Sequence, residues 1–461
     1  TRDTVLARGD TVRSGVLVLE AQARIAGRIE GDVFVVDGDL FLRSGGHVTG
    51  DLVVIGGGFY GSDLAEVEGE VAYRPTEGMR VLPERGGYAI YPAERERRAW
   101  DLDGQLGFPL PTYQRVDAVT IGWGGAVRAA DVPGRPELEA SVRYKTGPQA
   151  FEGSGRVSVH PDERLRVGIA ASRATRSNDA WIRATWWNSL TTLFAGDDAR
   201  DYHRADRAAL EVELLSAPVP DWHPSPRWSL ALGAGWEEAR SLVERDVTVL
   251  LAGDSARANP PIDPGDLWSA RAGYQWNHED GDGRITFGLG LEGASEEIAG
   301  DFSFLLGEAR IALERSVHWD TARVHRVELF AIGRADLAGA LPRQRGSALG
   351  GIGTLPTLDL LSLRGERLAY AEATYAVPLF GAGDLASADV FLRGSAGAAW
   401  SAGEPFRLEE TLALGLRARV WSFSLESGVA GGGGPGDESV ELQLFFDVRV
   451  RRSARPGQMP R

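Results

Sequence analysis

Val440-Glu441-Leu442-Gln443-Leu444-Phe445-Phe446-Asp447-Val448-Arg449-Val450-Arg451, close to the C-terminus, alternates without a break. Val440, Leu442, Leu444, Phe446, Val448 and Val450 share one parity, and Glu441, Gln443, Phe445, Asp447, Arg449 and Arg451 the other. Successive side chains of a strand point to opposite faces, so this strand has one greasy face and one mostly charged face. The same separation holds upstream. Leu412, Leu414, Leu416, Ala418 and Val420 oppose Thr411, Gly415, Arg417 and Arg419; Ile285, Phe287, Leu289 and Leu291 oppose Arg284, Thr286 and Glu292; Leu165, Val167 and Ile169 oppose Arg166, Gly168 and Ala170. In Trp228, Leu230, Leu232, Ala234 and Trp236 the apolar run begins and ends with tryptophan, as an aromatic girdle at two membrane interfaces would.

A secreted sandwich or soluble barrel alternates in the same way. The polar parity decides between these readings. It carries Arg143, Lys145, Glu211, Glu213, Arg271, Glu308, Arg310, Glu372 and Arg393, and burying such charges unpaired would cost several kcal/mol each. They belong in a wet lumen, with the apolar parity against lipid. The expectation is an all-β transmembrane antiparallel β-barrel. Strand candidates begin near 115, 138, 151, 164, 206, 227, 267, 284, 303, 323, 366, 388, 410, 420 and 439, fifteen in all. Bacterial barrels close with an even number, so sixteen is expected, with 12 or 14 the alternatives. Connections 174–204, 239–265 and 335–365 exceed ordinary turns and read as external loops.

The remaining composition agrees. Among 461 residues, 65 acidic against 50 basic give a formal charge of −15, without the positive stripe a nucleic-acid groove needs. Cysteine is absent, which excludes disulfides, thiolate metal sites and cysteine nucleophiles. No window approaches the ~18 apolar residues of a spanning helix. Numbering from Thr1 is what a mature chain shows after removal of an export signal.

The N-terminus follows a different rule. Ile29-Glu30-Gly31-Asp32-Val33, Val48-Thr49-Gly50-Asp51-Leu52 and Val67-Glu68-Gly69-Glu70-Val71 repeat with glycines 19 apart, and short apolar runs lie between them. One coil of this period cannot bury its own apolar face, so stacked coils must share a core. Gly56, Gly58 and Gly61 satisfy G-x-G-x-x-G, but Phe59-Tyr60-Gly61-Ser62-Asp63 returns to the repeat where a crossover helix should follow, so they read as turn glycines. Residues 12–75 resemble the bactofilin-like polymer-forming β-helix family. The expected organisation is a small parallel β-solenoid over 1–75, periplasmic in placement, a Pro-, Glu- and Arg-rich linker over 76–100, a barrel over 101–452 and a disordered tail over 453–461.

The segment 349–379, with Tyr375-Ala376-Val377-Pro378-Leu379 at its end, resembles the bacterial surface antigen superfamily, the barrel-assembly and two-partner-secretion translocases. Residues 113–127, "YQRVDAVTIGWGGAV", are similar to the first strand of related barrels. The resemblance implies a long loop folded back into the lumen through an (V/L)-R-G-(F/Y) element. By position that element is Leu355-Pro356-Thr357-Leu358, which lacks arginine and glycine; the alternative, Leu363-Arg364-Gly365-Glu366, keeps Arg364 and Gly365 but puts glutamate where an aromatic belongs. The family's repeated polypeptide-transport-associated domains are replaced here by the solenoid.

Chemistry is sparse. His47, His160, His203, His223, His278, His318 and His325 do not pair at metal-ligand spacings. His318-Trp319-Asp320 and His278-Glu279-Asp280 read as polar turns. Gly253-Asp254-Ser255 is similar to an esterase nucleophile block but is not followed by leucine, and no Asp-x-x-His block follows near the C-terminus. Asp197, Asp198 and Asp201 with Arg200 and Arg204 read as a solvated loop, with calcium as the competing reading. Lumen-lining candidates are Arg417, Arg419, Glu441, Asp447, Arg449, Glu372, Arg393, Arg310 and Glu308. Of the strands near the closure, Arg417, Arg419, Arg449 and Arg451 either line a pore selective for anions or for lipid phosphates or pair with Glu441, Asp447 and Glu372 as a structural ladder. The functional expectation is a non-enzymatic outer-membrane channel, translocation pore or scaffold without a cofactor. Its expected partners are outer-membrane lipid and, through the solenoid, a periplasmic or envelope protein. An outer-membrane hydrolase and a soluble secreted β-protein are the alternatives.

Overall fold

The computed structural model describes residues 4–19, 21–62, 65–74, 79–84, 87–92, 100–103, 111–129, 132–216, 227–244, 249–251, 257–280, 283–318, 324–381, 386–420, 423–433 and 441–450. The chain divides into two units that meet in sequence between Arg98 and Ala99.

In the first unit three parallel sheets, each of four short strands, wind into a solenoid. Thr4–Leu6, Ala23–Ile25, Leu40–Leu42 and Phe59–Gly61 stack on one side; the register advances 17 residues where Val16 pairs with Val33 and Ala23 with Leu40, and 19 in the later coils, where Val33 pairs with Leu52 and Leu40 with Phe59. Val18, Ala23, Ile25, Ile29, Val33, Val35, Leu40, Val48, Leu52 and Val54 fill the shared core. The apolar-Gly-Asp signature has a physical cause here. A Cβ on Gly50 would stand 2.6 Å from the carbonyl carbon of Gly31, and one on Gly69 2.5 Å from that of Gly50, so the coils close only over glycine. The acidic residue that follows ties coil to coil: Asp51 N donates to Asp32 Oδ1 at 2.8 Å and Glu70 N to Asp51 Oδ1 at 2.9 Å. Gly58 N likewise donates to Asp39 Oδ1 at 2.8 Å, which makes Gly58 a turn glycine. A hairpin of Met79–Glu84 and Gly87–Pro92 follows the last coil.

The second unit is one antiparallel meander. Its strands are β1 (Trp100–Asp103 and Thr112–Gln114, two pieces that both pair with the next strand), β2 (Ala118–Ala129), β3 (Glu137–Lys145), β4 (Ala150–Val159) and β5 (Leu165–Arg176). Then come β6 (His203–Leu215), β7 (Arg227–Ser241), β8 (Gly265–Asp280), β9 (Gly283–Ala294), β10 (Phe304–His318) and β11 (Val324–Gly339). The last five are β12 (Arg367–Gly381), β13 (Ala386–Trp400), β14 (Glu409–Val420), β15 (Phe423–Gly433) and β16 (Glu441–Val450). Each pairs with the next, which gives the sixteen strands of the expected barrel. The strand absent from the sequence reading is the broken β1. The segment 113–127 is not one strand: Arg115, Val116 and Asp117 form the turn between β1 and β2.

Alternation sorts the surfaces as expected. Leu442 and Leu444 are 76% and 80% exposed on the outer face, whereas Phe445 and Asp447 are buried on the inner one. On β7 and β8 the register sets Trp228 opposite Trp276 and Trp236 opposite Trp268. Each strand therefore carries two tryptophans eight residues apart, about 27 Å of strand at ~3.4 Å per residue. A tilt of about 40° reduces this to about 20 Å, close to the ~25 Å apolar band of an outer-membrane barrel. Charge resumes immediately beyond, with Glu238 and Asp266 at one end and His278 and Asp280 at the other.

In a meander, connections after odd strands fall at one end and those after even strands at the other. The three long connections, β5–β6, β7–β8 and β11–β12, all follow odd strands and share one end, here the loop end. Both the entry to β1 and the exit from β16 lie at the opposite, turn end. Tail 453–461 lies outside the described residues.

Candidate functional site

The inner face of the barrel is where this chain concentrates its buried charge. Two of the long connections, expected outside, fold against that face.

The β11–β12 connection is built on glycine. Gly350, Gly351 and Gly353 take φ of +120°, +80° and +109°, which L side chains rarely adopt, and their turns send apolar side chains inward. Leu349 and Leu355 are fully buried against Ile332 of β11 and Leu368 and Tyr370 of β12, with Leu358 and Leu363 alongside. Ile352 packs on the inward Phe391, Ala413 and Phe445. Both sequence candidates for the loop element are used. Leu355 and Leu358 enter the lumen, and Thr357 hydroxyl lies 3.1 Å from that of Thr411 on β14. Leu363–Gly365 pairs with Ser347–Leu349 in a small hairpin, and Arg364 binds Asp201 of the β5–β6 connection. A Cβ at Gly365 would stand 2.2 Å from the carbonyl carbon of Trp400, so only glycine lets this hairpin approach β13.

The loop is also pinned by charge. Arg345 donates to both oxygens of Glu237 on β7, at 2.9 and 3.0 Å, and to Glu292 on β9 at 3.1 Å. All three carry little exposure, and a buried carboxylate pair is tolerable only when a guanidinium shares its charge.

The β5–β6 connection carries the chain's described helix, α1 (Thr185–Ala195), closed by Gly196 at φ +71°. Its buried residues are polar, Asn188, Ser189 and Thr192, while Leu190 and Phe194 are exposed, the reverse of an ordinary surface helix. The polar face meets a network centred on Arg115, which has no exposed surface. Arg115 N donates to Asp198 Oδ2 at 3.2 Å, and its Nη2 donates to Asp201 Oδ1 and Asn259 Oδ1, both at 3.1 Å. Asp201 also accepts from Arg257 at 2.6 Å. The acidic cluster is thus engaged by arginines. Burial works to raise the Asp201 carboxyl, but the hydrogen bond from Arg364 and the charges of Arg257 and Arg364 hold it below the usual range. Asp179, buried and facing Asp201, is pushed up to about 6.

Helix α1 also bridges the two ends of the sheet. It packs against Thr112–Gln114 of β1, and Trp187 Nε1 donates to Asp447 Oδ1 of β16 at 3.0 Å while its ring meets Phe446 edge-on at 5.8 Å. Among the described residues no backbone pairing joins β1 to β16, and α1 touches both.

Most candidate lumen residues form a ladder of ion pairs. Glu426, fully buried, accepts from Arg417 at 2.8 Å and Arg393 at 2.7 Å. Arg417 continues to Glu328 at 2.5 Å, Arg393 lies 3.6 Å from Glu372, and Arg419 lies 2.9 Å from Asp389. Glu308 joins Arg310 at 2.5 Å to Arg334 at 3.2 Å. Asp447 instead serves Trp187, Glu441 is exposed, and the side chains of Arg449 and Arg451 lie outside the described residues. Glu426, Glu328, Asp389 and Arg345 were not singled out from sequence. Their inward parity was a usable signal for the first three. Of the hydrolase candidates, His278 stands on the outward parity, stacked with Trp276 and 3.8 Å from Asp280, and Ser255 lies outside the described residues.

No protein-family model matches the chain, and no curated protein does. Among solved structures it is similar to CdiB from Acinetobacter baumannii, at 11% identity and TM-score 0.43 over 81% of this chain and 65% of that one. It is also similar to CdiB from Escherichia coli, at 13% identity and TM-score 0.45 over 81% of this chain and 68% of that one. BamA from Haemophilus ducreyi lacking POTRA domains 1–3 gives 10% identity and TM-score 0.47, over 81% and 74%. The chain spans less than two thirds of the first of these.

Proposed function

We propose that this chain is a non-enzymatic outer-membrane barrel of the translocation or assembly kind, that it rests with its lumen closed, and that its solenoid is a periplasmic docking domain. The observation that carries the closed state is the inward β11–β12 loop, locked by Arg345 onto Glu237 and Glu292. A freely open channel would leave those carboxylates to water. The apolar band bounded by tryptophan supports membrane placement. Outer-membrane barrels keep short turns in the periplasm and long loops outside, which supports a periplasmic reading of the turn end, where the chain enters β1.

Planar-bilayer recording tests the reading. The full chain should show little steady conductance. Replacing Arg345 by alanine unpins the β11–β12 loop and leaves Glu237 and Glu292 to share Arg271, at 3.7 and 2.7 Å, at a cost of about 3 kcal/mol, so Arg345→Ala should open large, fluctuating conductances. Steady channel currents from the unaltered chain, unchanged by Arg345→Ala, would refute the closed barrel.

A further inference from the structure

Across the inner face arginine is matched to carboxylate: Arg156 to Glu211 at 2.6 Å, Arg166 to Glu139 at 3.4 Å, Arg271 to Glu292 at 2.7 Å. Three neighbours break the pattern. Arg143 on β3, Arg176 on β5 and Arg207 on β6 have no carboxylate within 4.0 Å among the described residues. The two acids nearest in register are already committed. Glu152, opposite Arg143, holds Lys145 at 2.5 Å, and Glu237, opposite Arg207, holds Arg345 with both oxygens.

The three arginines surround a row of hydroxyls. Ser141, Ser154 and Ser172 lie opposite one another on β3, β4 and β5, and the row continues into Arg207. Adjacent positions in such a row stand about 5 Å apart, so the serines form a shelf about 10 Å long. Ser141 and Ser154 hydroxyls are 2.8 Å apart, and Arg176 reaches back along β5 to donate to Ser172 Oγ at 2.8 Å. The charges of Arg207, Arg345 and Arg143 bear on Arg176 against that of Glu237, and Arg176 Nε is buried without a hydrogen-bond partner. His203, opposite Arg176 in the register, is 4% exposed and its Nε2 is likewise unpartnered. Arg143 and Ser154 are exposed, so the shelf is reachable.

Like charges gathered around hydroxyls, with the nearest acids in register engaged by Lys145 and Arg345, make a cluster of donors suited to an anion. We propose that the shelf formed by Ser141, Ser154 and Ser172 with Arg143, Arg176 and Arg207 binds a phosphate-class oxyanion inside the barrel. Guanidinium and hydroxyl donors suit its tetrahedral oxygens, and each charge-assisted bond is worth enough to matter in affinity. The site stands on the barrel wall and does not depend on whether the lumen conducts.

Calorimetry on the full chain in a maltoside detergent tests it, with inorganic pyrophosphate as one probe and diphosphorylated lipid A as the other. Saturable binding of either probe is expected, weakened about tenfold or more by Arg176→Gln or Arg207→Gln. The outward Arg173→Gln should leave it unchanged. Pyrophosphate binding marks free phosphate as a ligand, and lipid A binding alone marks a lipid-borne one. Heat-modifiable gel mobility checks folding, and the exposed Arg143→Gln serves if the other variants misfold. Failure of both probes to saturate, or binding untouched by the three shelf variants, overturns the proposal.

Discussion

Asp179 and Asp201 belong to one loop and are joined by a hydrogen bond from Asp201 N to Asp179 Oδ2 at 3.0 Å, yet their surroundings drive them apart. Burial, and then the charge of Asp201, raise Asp179 from its ordinary 3.8 to about 6. The folded chain thus holds this proton more tightly than the unfolded one. The stabilisation is complete below about pH 4 and is lost as pH rises towards 6. Asp179→Asn keeps an acceptor for Asp201 N and removes the charge. It should therefore stabilise the chain at pH 7 by up to about 3 kcal/mol, at ~1.4 kcal/mol per tenfold change in proton affinity, and leave it unchanged at pH 4. Urea unfolding in detergent at the two pH values measures this; an equal effect at both would show that the charge is not what strains the site. Glycine makes a contrasting case. Gly31, Gly50 and Gly69 were legible because a repeat displayed them three times, whereas the need for Gly365 arises from one contact with Trp400 that no local pattern announces.

Among the elements, α1 was hidden in what reads as an external loop. A helix that buries asparagine, serine and threonine carries no amphipathic signal pointing to a core, and its polar face makes sense only beside Arg115 and Asp198. Its tryptophan reaches across 260 residues of sequence to β16. Trp187→Ala removes one hydrogen bond and an aromatic edge contact, together about 1–3 kcal/mol. The expected result is a lower temperature for conversion of the compact barrel to the unfolded gel band. Asp447→Asn should add little in the Trp187→Ala background, because the two act through one contact. Full additivity of the two losses would mean that α1 does not fasten β16. The strands behaved otherwise: fifteen of the sixteen were legible because alternation is a local property of each, and the exception, β1, is described in two short pieces of four and three residues, too short to display a period.

At the scale of the molecule the outward apolar band and the charged interior are one arrangement, the reverse of a soluble protein. Leu414 sits in mid-strand on the outward parity of β14, beside the inward Ala413. Leu414→Arg should cost about 2–4 kcal/mol when the chain is refolded into phospholipid vesicles, the depth-dependent penalty of a cation on the lipid face. Refolding yield against urea reads it out. A change of less than about 1 kcal/mol at this position would place the β14 face in water and refute the membrane reading.

Period-two alternation and the 19-residue repeat are written in neighbouring residues, so fold class, strand number and the two architectures followed from the sequence alone. The filling of the barrel did not. Arg345 finds Glu237 across 108 residues, and Arg115 finds Asp201 across 86. Which inner-face arginines meet a carboxylate among the described residues depends on strand register and on loops turning inward. Those are tertiary facts, because an ion pair is decided by distance in space, and the order of residues along the chain does not supply it.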